Sequence, residues 1–304
     1  MTRPSRVIID LKALEHNFSQ IKKLTSNSKV MAIVKADAYG HGLVRVASAL
    51  CNADAFGVAC IEEAEQLRAA SIKTPIILLE GPYQPNDLSL ILNLNLDIVV
   101  HNEYQLEILE NSKLEGSIRA WLKIDTGMHR LGFSESDVKN ALSRLISCRN
   151  IKKNPILMTH LAIANEKGKE LTTKQLASFK EISNIENMEK TIANSAAVIN
   201  YPEAHLDWVR PGLMLYGVSP LVNSKGYEHN LKPVMTLESE IISIKFLSKG
   251  ETVGYGATWT CPEDMLIGII AAGYGDGFPR HAKSGTPVLV NNTRCKLIGR
   301  ASMD

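Results

Sequence analysis

Apolar residues in the first two thirds of the chain fall into short runs that are separated by longer stretches with helical spacing. Runs such as "VMAIVK" (30–35) and "LDIVV" (96–100) are rich in branched aliphatic residues and are apolar on both faces. Continuous apolar runs of this length are typical of strands in a buried parallel sheet. Stretches such as "NEYQLEILENS" and "TTKQLASFKEI" repeat apolar positions at helical period and predict amphipathic helices.

Eight strands are predicted in this part of the chain, with helical stretches between them. They lie at residues 30–35, 55–60, 75–80, 96–100, 118–124, 156–162, 191–194 and 205–212. Eight repeats of strand then helix is the count of a (β/α)8 barrel. An open doubly wound sheet can also reach seven or eight strands. It more often carries a glycine fingerprint near the N-terminus, which this sequence lacks, so the barrel is favoured.

The pattern changes after about residue 225. Strand-like runs at 234–247, 251–259, 265–273 and 287–299 follow one another with no convincing helix between them, and glycine and proline punctuate the turns. We predict an α/β protein of two domains, a TIM-type (β/α)8 barrel over 1–225 and a mainly β domain over 226–304. Because the chain stops at "GRASMD", directly after a strand, we expect the β domain to be incomplete at its C-terminus.

Composition and charge are those of an ordinary globular protein. Of the 304 residues, 45% are hydrophobic and 22% are charged, and the formal net charge is +2. No basic stripe argues for nucleic acid, and the apolar runs are far shorter than the ~20 residues of a membrane span. The five cysteines show no metal-type spacing and no signal-peptide pattern precedes them. We therefore expect free thiols, a cytoplasmic location and no metal site.

Candidate chemistry is expected where the barrel strands end. In a (β/α)8 barrel the active residues come from the carboxyl ends of the strands, and phosphate often binds after the last two. This rule selects Lys35, Lys123, Arg130, His160, Asn194, Ser195, Arg210 and Gly212. Each has an ordinary structural alternative: a strand-end histidine is often a satisfied core side chain, and "NSAA" is also a normal helix N-cap. Their convergence on one rim is the argument for a site.

The combination of residues on this rim points to one cofactor. Ser195 opens a predicted helix, and free backbone N–H groups near Gly212 complete a suitable cradle for a phosphate. A lysine such as Lys35 can form a Schiff base with an aldehyde. Pyridoxal 5'-phosphate is the cofactor that requires a lysine, a phosphate cradle and a partner for its ring nitrogen.

The sequence resembles the alanine racemase family over essentially its whole length. The motifs, in order, are "VKADAYGHG", "LKIDTGMHRLGF", "THLA", "NSAA", "VRPGLMLYG", "GYGATW", "AAGYGDG" and "SMD". The resemblance implies a pyridoxal-phosphate-dependent isomerase that acts as a homodimer, interconverts L- and D-alanine and supplies D-alanine for peptidoglycan. In the family, the β domain continues for several dozen residues past "SMD" and includes another active-site tyrosine.

The resemblance also assigns catalytic roles to residues of this chain. Lys35 resembles the Schiff-base lysine, which is one of two catalytic bases, and Tyr255 resembles the second base, which the partner subunit contributes. Arg210 matches the arginine that faces the pyridine nitrogen, and His160 resembles its neighbour in a hydrogen-bonded network.

The remaining matches concern the phosphate, the substrate and the entrance to the site. The residues that resemble phosphate contacts are Tyr39, Ser195 and the backbone of Gly212 and Leu213. Those that match substrate-binding positions are Arg130, which orients the substrate carboxylate and the cofactor phenolate, and Met303. Lys123 matches a lysine that is carbamylated in some members. Tyr274 and Asp304, together with Met303, match positions that line the partner's substrate entrance.

Three alternatives are weighed against this hypothesis. A pyridoxal phosphate decarboxylase of the same architecture should carry an acid in place of Arg210. A non-catalytic barrel protein that binds the cofactor would lack the β domain and "GYGATW". A racemase of another small amino acid, such as serine, stays open because the sequence does not give the size of the pocket.

Overall fold

The computed structural model describes residues 3–185 and 187–304 and contains two compact units. The larger unit is Asp10–Val234, and the smaller unit combines residues 3–9 with Met235–Asp304. Eight parallel strands of the larger unit close into a barrel, which confirms the predicted fold class. These strands are β2 (Lys29–Ile33), β3 (Ala55–Val58), β4 (Ile76–Leu78), β5 (Leu96–Val100), β6 (Ala120–Lys123), β7 (Ile156–Met158), β8 (Lys190–Asn194) and β9 (Trp208–Arg210).

Helices alternate with the barrel strands. The first, α1 (Leu11–Leu24), begins after Asp10, whose carboxylate accepts a hydrogen bond from the Ala13 N–H as an N-cap. The others are α3 (Leu43–Ala49), α4 (Ile61–Ala69), α5 (Asp87–Asn93), α6 (Glu103–Asn111), α7 (Val138–Ser147), α8 (Glu170–Ile182) and α9 (Ser195–Asn200), and α2 (Lys35–Gly40) is a short left-handed turn. Among the helices in the described ranges, none combines the length and the apolar character that crossing a membrane would require.

Large apolar side chains fill the inside of the barrel. They are Met31, Ile33, Ala55, Ile77, Val99, Trp121, Ile156, Met158 and Trp208, all of them buried. The rings of Trp121 and Trp208 meet edge to face, with their centroids 5.2 Å apart. Since side chains occupy the interior, ligands of such a barrel bind on the rim where loops follow the strands.

The smaller unit is mainly β, as the sequence predicts. Its strands pair antiparallel in twos: β1 (Arg6–Ile9) with β10 (Met235–Glu238), β11 (Ile241–Leu247) with β14 (Met265–Ile270), β12 (Thr252–Val253) with β13 (Trp259–Thr260), and β15 (Pro287–Val290) with β16 (Thr293–Lys296). β1 was not predicted from the sequence. Its four-residue run is too short to be recognised as a strand without its pairing with β10, more than 200 residues away.

The two units divide after Val234, whereas the sequence places the domain boundary at 225/226. The intervening segment packs on the barrel unit. Leu231 and Val234 are buried, and the Lys232 N–H donates to Oδ1 of Asn17 at 2.7 Å. The segment contains only the 3-10 helix Gly226–His229, which is too short to show a periodicity, so its attachment to the barrel could not be seen in the sequence.

A partly buried carboxylate lies within the barrel wall. Asp97, on β5, accepts a hydrogen bond from the indole Nε1–H of Trp121 at 3.1 Å, and the Arg119 guanidinium is 3.9 Å away. Burial nevertheless raises the pKa of Asp97 above its ordinary value, because desolvation of the charged form outweighs these favourable contacts.

We expect Asp97→Asn to stabilise the protein at pH 7. With its pKa raised by folding, Asp97 contributes stability below the unfolded-state pKa of about 3.9, and this contribution is lost as pH rises through the higher folded-state pKa. Asparagine carries no charge and keeps an oxygen acceptor for the Trp121 N–H. Urea denaturation should show a gain at pH 7 that shrinks towards pH 4, with Glu115→Gln as the control for loss of an exposed carboxylate. A variant less stable than the parent at pH 7 would contradict the argument.

Candidate active site

The barrel residues predicted to form the site meet at the carboxyl ends of the strands. Lys123 and Arg210 are the last residues of β6 and β9, and Ser195 begins α9 directly after β8. Lys35 and His160 lie two residues beyond the ends of β2 and β7, whereas the predicted strands end at Lys35 itself and at residue 162. The strands are shorter because the chain turns away from the sheet as soon as it reaches the rim.

Lys35 leads into an unusual turn. The four residues after it, Ala36–Tyr39, all have left-handed backbone angles, with φ between 51° and 55°. Such a conformation costs L-residues about 1–2 kcal/mol each, and none of the four is glycine. The turn therefore depends on contacts from outside it. Glu63 provides one of them, because its carboxylate accepts hydrogen bonds from the N–H of Ala36 at 2.6 Å and of Ala59 at 2.8 Å.

An aromatic contact supports the same turn. The ring of Tyr39 stacks on that of Tyr216, with the centroids 4.8 Å apart. The Tyr216 hydroxyl donates to the carbonyl oxygen of Ile33 at 3.0 Å, just before the turn. Burial raises the pKa of both phenols, so both hydroxyls keep their protons at neutral pH and act as hydrogen-bond donors.

A cradle of small and hydroxyl-bearing residues lies beside this turn. The Ser195 hydroxyl accepts a hydrogen bond from the Gly212 N–H at 2.8 Å. A Cβ at Gly212 would lie 2.5 Å from the Tyr39 hydroxyl oxygen, so only glycine permits this close approach. Leu213 then begins a short 3-10 helix. Two hydroxyls and the backbone of residues 212–213 therefore converge, and such groups can donate to a phosphate, although the Gly212 N–H, which was expected to be free, donates to Ser195.

Arg210 is buried, and no carboxylate within residues 3–185 and 187–304 is among its hydrogen-bond partners. Its guanidinium donates to the Thr191 hydroxyl and the Thr159 carbonyl, and it lies 3.3 Å from Nδ1 of His160. Because arginine only donates hydrogen bonds, Nδ1 of His160 must carry no proton in order to accept from Arg210. Burial, followed by the charges of Arg210 and Lys123, lowers the pKa of His160 well below its ordinary value.

The rim carries an excess of positive charge. Burial and the nearby charges of Arg210, Arg130 and Lys35 lower the pKa of Lys123 to about 8, and Asp125 only partly opposes them. Burial also lowers the pKa of Arg210 to about 9. Both groups are still mainly cationic at pH 7. Cations that share a buried rim repel one another, so the site is suited to an anionic ligand.

The other predicted site residues belong to the smaller unit. Tyr274 and Met303 come together there, because the Tyr274 N–H donates to the Ser302 carbonyl at 3.0 Å and the Gly275 N–H to the Met303 carbonyl at 2.8 Å. Asp304 is held near them by Arg3, which pairs with Asp304 at 3.1 Å and with Asp276 at 2.7 Å.

Tyr255 lies on a different turn of the smaller unit. It begins the 3-10 turn Tyr255–Ala257, and 71% of its surface is exposed. An exposed phenol on a glycine-flanked turn is available to another molecule.

Comparison with known proteins assigns the chain to a family. The family described as "Alanine racemase, N-terminal domain" matches residues 9–220, and "Alanine racemase, C-terminal domain" matches residues 234–304. The chain belongs to the alanine racemase family. The family resemblance seen in the sequence is thereby confirmed, and so is its assignment as an enzyme, an isomerase of this family.

Individual members of the family are similar over nearly the whole chain. The alanine racemase of Nitrosococcus oceani is 50% identical over 299 residues, which cover 98% of this chain and 84% of that protein. The crystal structure of the biosynthetic alanine racemase from Pseudomonas aeruginosa has a TM-score of 0.96 at 42% identity and covers 100% of this chain and 85% of that one. The alanine racemase from Bartonella henselae with covalently bound pyridoxal phosphate has a TM-score of 0.86 at 26% identity, covering 99% and 84%.

Two residues that shape the site were missed in the sequence. Tyr216 lies within the motif "VRPGLMLYG", but the sequence analysis assigns it no role. Glu63 lies in the first turn of α4, where an acid is expected for the helix dipole alone. Their contacts with the turn after Lys35 bridge distant parts of the chain, so only the fold reveals them.

We expect Arg210→Gln to raise the pKa of His160. The substitution removes the cation that lies 3.3 Å from Nδ1, while burial continues to hold the pKa below its ordinary value. Histidine-selective NMR titration would follow the ring protons of His160 with pH. The control is Arg144→Gln, which removes an arginine that pairs with Glu103 and Glu110 on the surface. The same pKa of His160 in the parent and in Arg210→Gln would contradict the conclusion that the charge of Arg210 lowers it.

Proposed function

We propose that this enzyme is a pyridoxal 5'-phosphate-dependent racemase that interconverts L- and D-alanine in the cytoplasm and supplies D-alanine for peptidoglycan. The observation that carries the proposal is the grouping of a lysine, a hydroxyl-lined anion cradle and a buried arginine on one rim of the barrel, in a chain of the alanine racemase family.

The residues present fit this cofactor. A side chain at Gly212 would fill the cradle and displace the Tyr39 hydroxyl, so the glycine keeps space and donors for a phosphate. The groups that would hold the phosphate are Tyr39, Ser195 and the backbone of Gly212 and Leu213. Lys35 would hold the aldehyde carbon, and Arg210, fixed by the threonines and next to His160, would face the ring nitrogen.

Two bases account for racemisation. When bound, pyridoxal phosphate acts as an electron sink that makes the Cα proton of the amino acid acidic. Lys35 removes the proton from one face of Cα, and Tyr255 contributed by the other subunit of a homodimer returns one to the opposite face. A single base would have to move around the substrate between the two steps, whereas two fixed bases need not move.

The other site residues bind and orient. Arg210 is a cation that only donates hydrogen bonds, so a cofactor ring nitrogen that it faced would have to accept and would stay unprotonated. This limits the spread of negative charge away from Cα, which favours return of the proton over transamination. Arg130 orients the substrate carboxylate. Lys123 helps to hold Arg130, and it matches a lysine that is carbamylated in some members of the family. Met303, Tyr274 and Asp304 line the substrate entrance of the partner subunit.

We expect the purified protein to carry pyridoxal phosphate on Lys35. After borohydride reduction and digestion, mass spectrometry should find the pyridoxyl group on the peptide that contains Lys35, and Lys35→Ala should not be labelled at that peptide. A chiral assay with L-alanine and L-serine then defines the substrate. Label on another lysine would refute the role of Lys35. Preference for serine would favour a serine racemase, and a labelled protein without turnover would favour a non-catalytic binding protein.

Two inactive variants are expected to restore each other's activity. If Lys35 and Tyr255 of one site come from different subunits, a dimer of Lys35→Ala with Tyr255→Ala has one intact site and one doubly altered site. Random exchange makes about half of the dimers mixed, so racemisation should recover to roughly a quarter of the parent level. Mass spectrometry of the intact dimers controls for exchange. If mixed dimers form and activity stays at the level of the single variants, the shared site is disproved.

A further inference from the structure

Glu63 is an acidic residue near the site that the proposed mechanism does not use. It occupies the first turn of α4, and its two carboxylate oxygens accept from different parts of the chain. Oε2 accepts from the Ala59 N–H, directly before the helix, and Oε1 accepts from the Ala36 N–H in the left-handed turn. The Asp37 N–H also lies 3.4 Å from Oε1.

One of these two bonds has an ordinary explanation. An acid at this position of a helix commonly reaches back to a backbone N–H at the helix start, and one oxygen is enough for that purpose. The bond from Oε2 to Ala59 is of this kind. The bond from Oε1 to Ala36 leaves the helix and crosses to a turn 27 residues earlier in the sequence, so helix capping does not explain it.

The Ala36 N–H belongs to the peptide group that joins Lys35 to Ala36. Holding this N–H fixes the plane of that peptide and therefore the backbone angle ψ of Lys35. The following residues, Ala36–Tyr39, all have left-handed angles that L-residues leave when nothing holds them. Oε1 of Glu63 lies 2.6 Å from the Ala36 nitrogen and accepts its hydrogen bond. This bond holds the first peptide group of the turn and so keeps the turn from leaving the left-handed conformation.

We propose that Glu63 is a positioning residue that keeps Lys35 in place by fixing the Lys35–Ala36 peptide group. The inference rests on the proposed function, in which Lys35 binds the cofactor and acts as a base. A glutamine could not replace Glu63 fully, because it offers one acceptor oxygen and one donor nitrogen where two acceptors are needed.

The test compares variants of three residues on α4. Glu63→Ala removes both acceptors, and Glu63→Gln leaves one. Glu65→Ala is the control for helix composition, because Glu65 is exposed and makes no side-chain hydrogen bond within residues 3–185 and 187–304. Arg68→Ala is the control for lost stability, because the Arg68 guanidinium donates to four backbone carbonyls outside the helix, those of Ile72, Thr74, Leu94 and Asn95.

Three measurements separate positioning from a merely structural role. In the cofactor-free full chain, hydrogen exchange of the Ala36 amide should become about tenfold faster in Glu63→Ala. In the loaded enzyme, the circular dichroism band of the bound cofactor should weaken. Well below the unfolding temperature, kcat for alanine should fall about tenfold or more while KM changes little, because the base is displaced and the substrate-binding residues are not. Glu63→Gln should lie between the parent and Glu63→Ala.

The outcomes distinguish failure of this inference from failure of the proposed function. Unchanged exchange at Ala36, or a fall in kcat that Arg68→Ala matches at equal loss of stability, would overturn the role of Glu63. If the parent protein takes up no pyridoxal phosphate on Lys35, the proposed function fails. The hydrogen-exchange measurement on the cofactor-free chain still decides in that case whether Glu63 holds the turn.

Discussion

The rest of the structure depends on closure of the eight-stranded barrel around a filled interior. Because side chains such as Trp121 and Trp208 occupy the centre, polar groups cannot be accommodated there. They are displaced to the rim where the strands end, and strands far apart in sequence become neighbours at that rim. Hydrogen bonding between β2 and β9 is the step that brings Lys35 and Arg210 onto one side of the molecule.

Closure also accounts for the electrostatic character of the site. Arg210 is held among threonines and backbone carbonyls, next to the imidazole of His160. Burial of this charge is tolerated because the guanidinium donates hydrogen bonds to these groups, although no carboxylate in the described part of the chain pairs with it. The unneutralised charge is then available to a ligand, and it lowers the pKa of Lys123 and His160 at the same time.

The left-handed turn after Lys35 stores strain beside this charged rim. Strained backbone of this kind persists only where surrounding contacts determine it, and such segments cluster at functional sites. Here the contacts come from Glu63 on one side and Tyr216 on the other. The lysine is therefore attached to a segment that the neighbouring elements hold, which limits the range of positions that a long flexible side chain could otherwise take.

Much of this protein was determined by local sequence. The eight apolar runs specify the barrel strands, because residues buried on both faces of a parallel sheet must be apolar over a continuous stretch. The change of pattern after about residue 225 specifies the mainly β unit, and the family motifs mark Lys35, Ser195 and Arg210. The tertiary structure alone decided the remainder. The pairing of β1 with β10, the attachment of residues 226–234 to the barrel and the bonds of Glu63 and Tyr216 to the turn all join segments distant in sequence. Periodicity and propensity describe a residue's immediate neighbours, whereas these contacts exist only after closure of the chain has brought their partners within hydrogen-bonding distance.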